Sequence, residues 1–170
     1  MREVKPLKYK ELDGLSEKQL KEHHDVLYAG YVKKIDEIEE KLKKVDLASA
    51  GATYSDLREL KLEETFALNG VKLHEGYFDN MGPRPSTGSE PSGKILEMIK
   101  RDFGSYENWE KEFKALGLAA RGWVVLGYDL DEKKLKNGLE ELKAIIQNGG
   151  KKEIRSVLKE LTPFYAADTD

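Results

Sequence analysis

The chain has 170 residues, 36% of them charged and 39% apolar, with a formal net charge of −3. It holds no cysteine, which excludes disulfides, thiolate metal sites and cysteine nucleophiles. No run approaches the ~18 apolar residues of a membrane span, and mild acidity gives no global attraction to nucleic acid. Three histidines, His23, His24 and His74, set the ceiling on any imidazole site built from one chain.

Met1-Arg2-Glu3-Val4-Lys5 has no apolar core of a secretory leader, so a cytoplasmic protein is expected. Ser16 with Gln19 three residues on forms a capping box. Leu20, Leu27, Tyr31, Ile35, Ile38, Leu42 and Val45 then recur at helical spacing. They predict an amphipathic helix of about 28 residues, ending before Ala48-Ser49-Ala50-Gly51. A second helix is predicted from Ser55-Asp56 to Phe78, with Leu57, Leu60, Glu64, Leu68, Val71, His74 and Phe78 on one side. Gly70 and Gly76 interrupt it, each costing up to about 1 kcal/mol relative to Ala. Two long helices with a short join predict an antiparallel hairpin.

Met81 to Gly93 is rich in Pro, Gly and Ser and marks a domain boundary. The expected division is a helical hairpin at 1–82 and a second domain at 83–170. A short helix is predicted over Lys94–Asp102, with Ile95, Met98, Ile99 and Phe103 inward. Ser105 caps another, with Trp109, Phe113 and Leu116 as its apolar face. Gly122 to Tyr128 reads as a buried strand. Leu135, Leu139, Leu142, Ile145 and Ile146 predict a charged helix ended by Asn148-Gly149-Gly150. Ile154, Val157, Leu158 and Leu161 predict a last one. No second strand is visible after Tyr128. Its backbone groups need a partner. Either a predicted helix is a strand, or another chain supplies the partner, or Gly122–Tyr128 is not a strand.

In an antiparallel hairpin His23 and His74 can face each other across the seam. Facing helices often build transition-metal sites this way. The bland alternative is a pair of ordinary polar or core histidines. Tyr31 lies eight residues after His23, on nearly the same face.

Leu20-Lys21-Glu22-His23-His24 with Tyr31-Val32 resembles the first helix of the iron/manganese superoxide dismutase family. Leu68-Asn69-Gly70 with His74 and Phe78 is similar to its second. Glu90-Pro91-Ser92-Gly93, Ile99 to Ser105 and Gly122 to Leu126 resemble the opening of its second domain. The resemblance runs from about Pro6 to Tyr128. It implies a mainly α fold: a helical hairpin, then a truncated α/β half with a helical tail.

The same resemblance implies iron or manganese as cofactor and superoxide as substrate. His23 and His74 match two metal ligands. Tyr31 matches the tyrosine that gates the substrate funnel and joins the proton relay. Trp123 matches an aromatic of the pocket wall, and Phe78 stands where tryptophan is usual. Gly70 is the manganese-type residue where iron-type members often carry glutamine. Leu27 and Tyr28 replace a common histidine pair. The family completes its site with an Asp and a His in an Asp-x-Trp-x-His-Ala-Tyr segment, which is not found here. His24 points about 100° away from His23 in a regular helix and does not replace the missing imidazole. Glu64, Glu75, Asp79, Asp168 and Asp170 are candidate oxygen ligands. The expectation is a partial metal site with two of four ligands, in a homo-oligomer. One alternative is a scaffold descended from such an enzyme, natural or engineered, that binds no metal. Another is an ion- or small-molecule-binding helical protein without redox chemistry. No nucleic-acid or membrane partner is expected.

Overall fold

Ser16 opens the first long helix as its capping box requires. Its hydroxyl accepts from the Gln19 N–H, and the Gln19 side chain returns to the Ser16 N–H. The computed structural model describes residues 2–83 and 91–139. The helix runs through three consecutive pieces: α1 (Glu17–Lys21), a π-helical segment (Glu22–Tyr28) and α2 (Ala29–Leu42). The periodicity did not disclose the π segment. Its wider turn bonds i to i+5 and is seen mostly as short insertions at functional sites. It changes which residues are inside. Leu20, His24, Tyr28 and Val32 follow one another at steps of four and are buried, whereas Leu27, expected inward, is exposed. In an α-helix each step of four drifts forward by about 40°, and the wider turn offsets that drift.

Ser55 caps α3 (Asp56–Asp79) by accepting from the Arg58 N–H, and the helix runs unbroken through Gly70 and Gly76. α2 and α3 pack antiparallel. Tyr28 and Val32 meet Val71 and Phe78 at one end, and Ile35 and Ile38 meet Ala67 further along, with Leu42 and Leu60 beside them. The N-terminal segment lies against this hairpin. The Lys5 N–H donates to the Tyr28 hydroxyl at 3.1 Å, and the Lys5 carbonyl lies 2.8 Å from His24 Nε2. The Lys5 ammonium pairs with Glu75 at 3.3 Å.

The chain divides into two compact units, Met1–Ser86 and Thr87–Asp170. In the second unit α4 (Lys94–Phe103) buries Met98 and Ile99. Ser105 caps α5 (Tyr106–Ala119) through the Asn108 N–H, and Trp109, Phe113 and Leu116 are half-buried. β1 (Val124–Asp129) is half-buried along its length rather than fully buried.

Residues 134–139 correct the sequence reading. They form β2 (Lys134–Leu139), antiparallel to β1, with Val124 opposite Leu139 and Asp129 opposite Lys134. The expected helix beginning at Leu135 is therefore a strand at its start, and β1 has its partner within the chain. Leu135 and Leu139 are four residues apart, a spacing shared by a helix face and a strand face. Asp129 closes the turn, its carboxylate accepting from the Asp131 and Glu132 N–H groups at 3.0 Å, and Lys133 adopts a positive φ of 54°. Leu135 is buried against Met98 and Ile99. Asp102 at the end of α4 accepts the Leu135 N–H at 2.7 Å. The residues expected to form the last helix, and the continuation from Leu142 to Ile146, lie outside the described residues. No described helix is long and apolar enough to cross a membrane. The described residues are mostly helical with a small two-stranded sheet, in keeping with the superoxide-dismutase-like fold that the resemblance implies.

Candidate metal centre

The π segment and the C-terminal half of α3 bring His23 and His74 together. Their ring centroids are 4.8 Å apart and nearly perpendicular, at 76°. His74 is buried and His23 half-buried. His74 Nδ1 lies 2.6 Å from the Gly70 carbonyl oxygen, one helical turn back. That bond places the ring proton on Nδ1 and leaves the Nε2 lone pair as the donor.

Burial pushes the pKa of His23 down, and the neighbouring His74 lowers it further. Burial also lowers that of His74, with the Gly70 carbonyl opposing in part. A neutral imidazole is the form that ligates a metal. The donor set fits two positions of an iron or manganese site.

Tyr31 on α2 stands beside the pair, its ring centroid 5.4 Å from that of His74. Phe78 lies 5.3 Å from His23 and also faces His24. Tyr77, which the sequence reading did not single out, has its ring 4.9 Å from His23. Its position three residues after His74 on α3 was the available signal. Tyr28 stacks toward His74 at 6.2 Å, and its hydroxyl donates to Glu75 at 3.3 Å.

His24 faces elsewhere. Its Nδ1 is 2.7 Å from Asp25 and its Nε2 is at the Lys5 carbonyl. The candidate carboxylates are engaged by other side chains. Glu75 is held by Tyr28, Lys5 and Lys72, Asp79 by Lys5 and Lys8, and Glu64 by Lys61. Among the described residues no cluster of three or more His, Asp or Glu is placed to hold a metal ion. Asp168 and Asp170 lie outside the described residues. Trp123 immediately precedes β1 in the second unit.

Comparison with known proteins identifies a family model and several relatives. The family model for the iron/manganese superoxide dismutase C-terminal domain matches residues 91–153. That match extends the likeness past Tyr128, where the motif resemblance ended. The chain is 41% identical over 138 residues to the iron superoxide dismutase of Aquifex aeolicus, covering 79% of this chain and 64% of that enzyme. It thus spans just under two thirds of that relative's length. It is 40% identical over 140 residues to the iron superoxide dismutase of Cupriavidus metallidurans, covering 79% of this chain and 68% of the relative. To the manganese superoxide dismutase of Haloarcula marismortui it is 38% identical over 143 residues, covering 79% and 66%. On this identity and coverage, the chain belongs to the iron/manganese superoxide dismutase family.

Proposed function

We propose that His23 and His74 are two ligands of an iron or manganese ion, that Tyr31 supplies protons beside it, and that superoxide is the substrate. The observation that carries this reading is the His23–His74 contact, with His74 Nδ1 committed to the Gly70 carbonyl. Dismutation converts two superoxide anions and two protons into dioxygen and hydrogen peroxide. An iron or manganese ion bound here would supply the reversible one-electron change that links the two halves.

The chain's own residues have separate tasks. His23 and His74 offer neutral nitrogens because burial disfavours their protonation. The Gly70 carbonyl holds the His74 ring in one tautomer and one orientation. Tyr31 brings a phenolic O–H, both donor and acceptor, next to His74. Phe78 and Tyr28, both buried, keep water from the back of the pair. The remaining ligands come from outside the described residues or from a second copy of the chain. The latter would make a homo-oligomer part of the same reading.

Metal content tests the proposal. Protein purified without chelator is analysed by elemental mass spectrometry, alongside His23→Ala and His74→Ala. Stoichiometric iron or manganese, lost in both variants, is the expected result. Folded wild-type protein holding only traces of either metal overturns it. The engagement of Glu64, Glu75 and Asp79 by lysines favours a second reading, in which the pair is packing within a metal-free scaffold. Both histidine variants would then fold and behave as wild type.

A further inference from the structure

Lys5 is held from both sides of the hairpin. Its N–H donates to the Tyr28 hydroxyl at 3.1 Å, and its carbonyl accepts from His24 Nε2 at 2.8 Å. Its ammonium lies 3.3 Å from Glu75 and 3.8 Å from Asp79. His24 is the residue after His23, and Glu75 is the residue after His74. Tyr28 and Glu75 also bond to each other, at 3.3 Å. Lys5 thus closes a ring of contacts with one group from the π segment and one from α3. The segment around it is fixed as well. The Arg2 N–H donates to the Asp36 carboxylate at 3.2 Å and its guanidinium to Glu39 at 2.6 Å. Leu7 packs against the cluster of Tyr28, Val32, Val71 and Phe78, and Lys8 pairs with Asp79 at 2.9 Å.

We propose that Lys5 is a positioning residue for the histidine pair: its backbone and ammonium clasp the residues next to His23 and His74 and so fix how the π segment faces α3. The Tyr28 ring carries the constraint to His74. It is fully buried, lies 21° from the His74 ring plane with centroids 6.2 Å apart, and also packs on Phe78. His24, pinned at the Lys5 carbonyl, packs on the same Phe78 ring with centroids 5.0 Å apart. The main chain of Lys5 does most of the holding. Its two bonds are part-buried, whereas the ammonium is largely exposed and its ion pairs are screened by solvent. The inference rests on the proposed site only for its effect on metal affinity.

The test compares Lys5→Ala and Lys5→Pro, each in the wild-type and Tyr28→Phe backgrounds, in metal-free full-length protein. Lys5→Ala removes only the ammonium. Lys5→Pro removes the N–H as well, and Pro6 already restricts residue 5 to extended backbone, which proline tolerates. One net hydrogen bond is worth about fivefold in the unfolding constant. Lys5→Pro is expected to raise that constant by this factor beyond Lys5→Ala in the wild-type background, and to add nothing with Tyr28→Phe. Strain from the proline itself is common to both backgrounds and cancels. The ring resonances of His23 and His74, in histidine-labelled protein, should shift in Lys5→Pro and stay in place in Lys5→Ala. The manganese dissociation constant, read from the EPR signal of the free ion, should rise roughly tenfold in Lys5→Pro, the lower end for an outer partner of ligand histidines. It should stay near the wild-type value in Lys5→Ala. Lost stability with unmoved rings and wild-type affinity would make Lys5 a staple of the fold and overturns the proposal, as does an absence of coupling to Tyr28. Should Lys5→Pro fail to fold, Tyr28→Phe cuts the same bond from the other side. Faster hydrogen exchange at the Lys5 N–H with shifted histidine rings is then expected, and unchanged exchange overturns the proposal. Wild-type protein that binds neither iron nor manganese would defeat the reading of the site, and the coupling and the ring resonances would still decide the clasp.

Discussion

His74 Nδ1 and the Gly70 carbonyl oxygen are 2.6 Å apart, within one turn of α3. The Tyr31 ring also lies close to this glycine, 2.5 Å from where a Cβ on Gly70 would be. The bond requires a proton on Nδ1, and burial disfavours the doubly protonated ring. Nitrogen NMR of metal-free protein at neutral pH should find His74 as the Nδ1–H tautomer with Nε2 unprotonated. The opposite tautomer would remove His74 as an Nε2 donor.

Tyr31→Phe separates metal binding from proton supply. Tyr31 is not one of the proposed ligands, so metal per chain should stay at the wild-type level. Turnover should fall by roughly a hundredfold, the lower end of what a positioned proton donor contributes. Parallel metal analysis and superoxide-decay kinetics check this. Unchanged turnover would mean that Tyr31 is only a wall of the site.

Tyr28→Phe should cost more than Lys5→Ala. The Tyr28 phenol is fully buried and accepts the Lys5 N–H while donating to Glu75. Its removal strands a partly buried donor, at about 1–3 kcal/mol. The Lys5 side chain is largely exposed, so losing its ion pairs with Glu75 and Asp79 should cost less than about 1 kcal/mol. Urea unfolding of the two variants gives the comparison, and a reversed order would refute it.

Acid should weaken the second unit through Asp102. Hydrogen bonds from Arg101, and then from the Leu135 N–H, hold its carboxyl below the usual range against the opposing effect of burial. A lowered folded-state pKa means that the unfolded chain binds more protons. The stabilisation is full above the unfolded value of about 3.9 and is lost as pH falls through the folded one. Asp102→Asn should flatten the decline of stability below about pH 4. Both tryptophans, Trp109 and Trp123, belong to this unit, so their fluorescence follows its unfolding.

Strand β2 can be checked by its alternation. Leu135 is buried against Met98 and Ile99, while Lys136 is exposed and pairs with Asp129 and Glu132. Leu135→Ala should cost about 2–5 kcal/mol and Lys136→Ala less than about 1 kcal/mol, both read from tryptophan fluorescence in denaturant. Equal costs would contradict the register.

The helical hairpin was legible because its signals are local. Ser16 and Ser55 announce helix starts, and apolar residues three and four apart mark the buried faces of α2, α3 and α4. The pairing of His23 with His74 followed from antiparallel packing alone. The π segment was hidden, because Leu20, Leu27 and Tyr31 fit a regular helix until tertiary contacts select Tyr28 over Leu27 for the interior. Strand β2 was hidden for a related reason. Leu135 and Leu139 fit a helix and a strand equally, and hydrogen bonds to β1 decide between them.

By itself, then, the sequence determined which segments are long helices, where they start, and which two histidines can meet, since periodicity and capping act within a few residues. Only the tertiary structure decided the π turn, the strand pair and the tautomer of His74. Each of these depends on a backbone group contributed by a segment distant along the chain or by the turn of the helix itself, and residue types do not encode it.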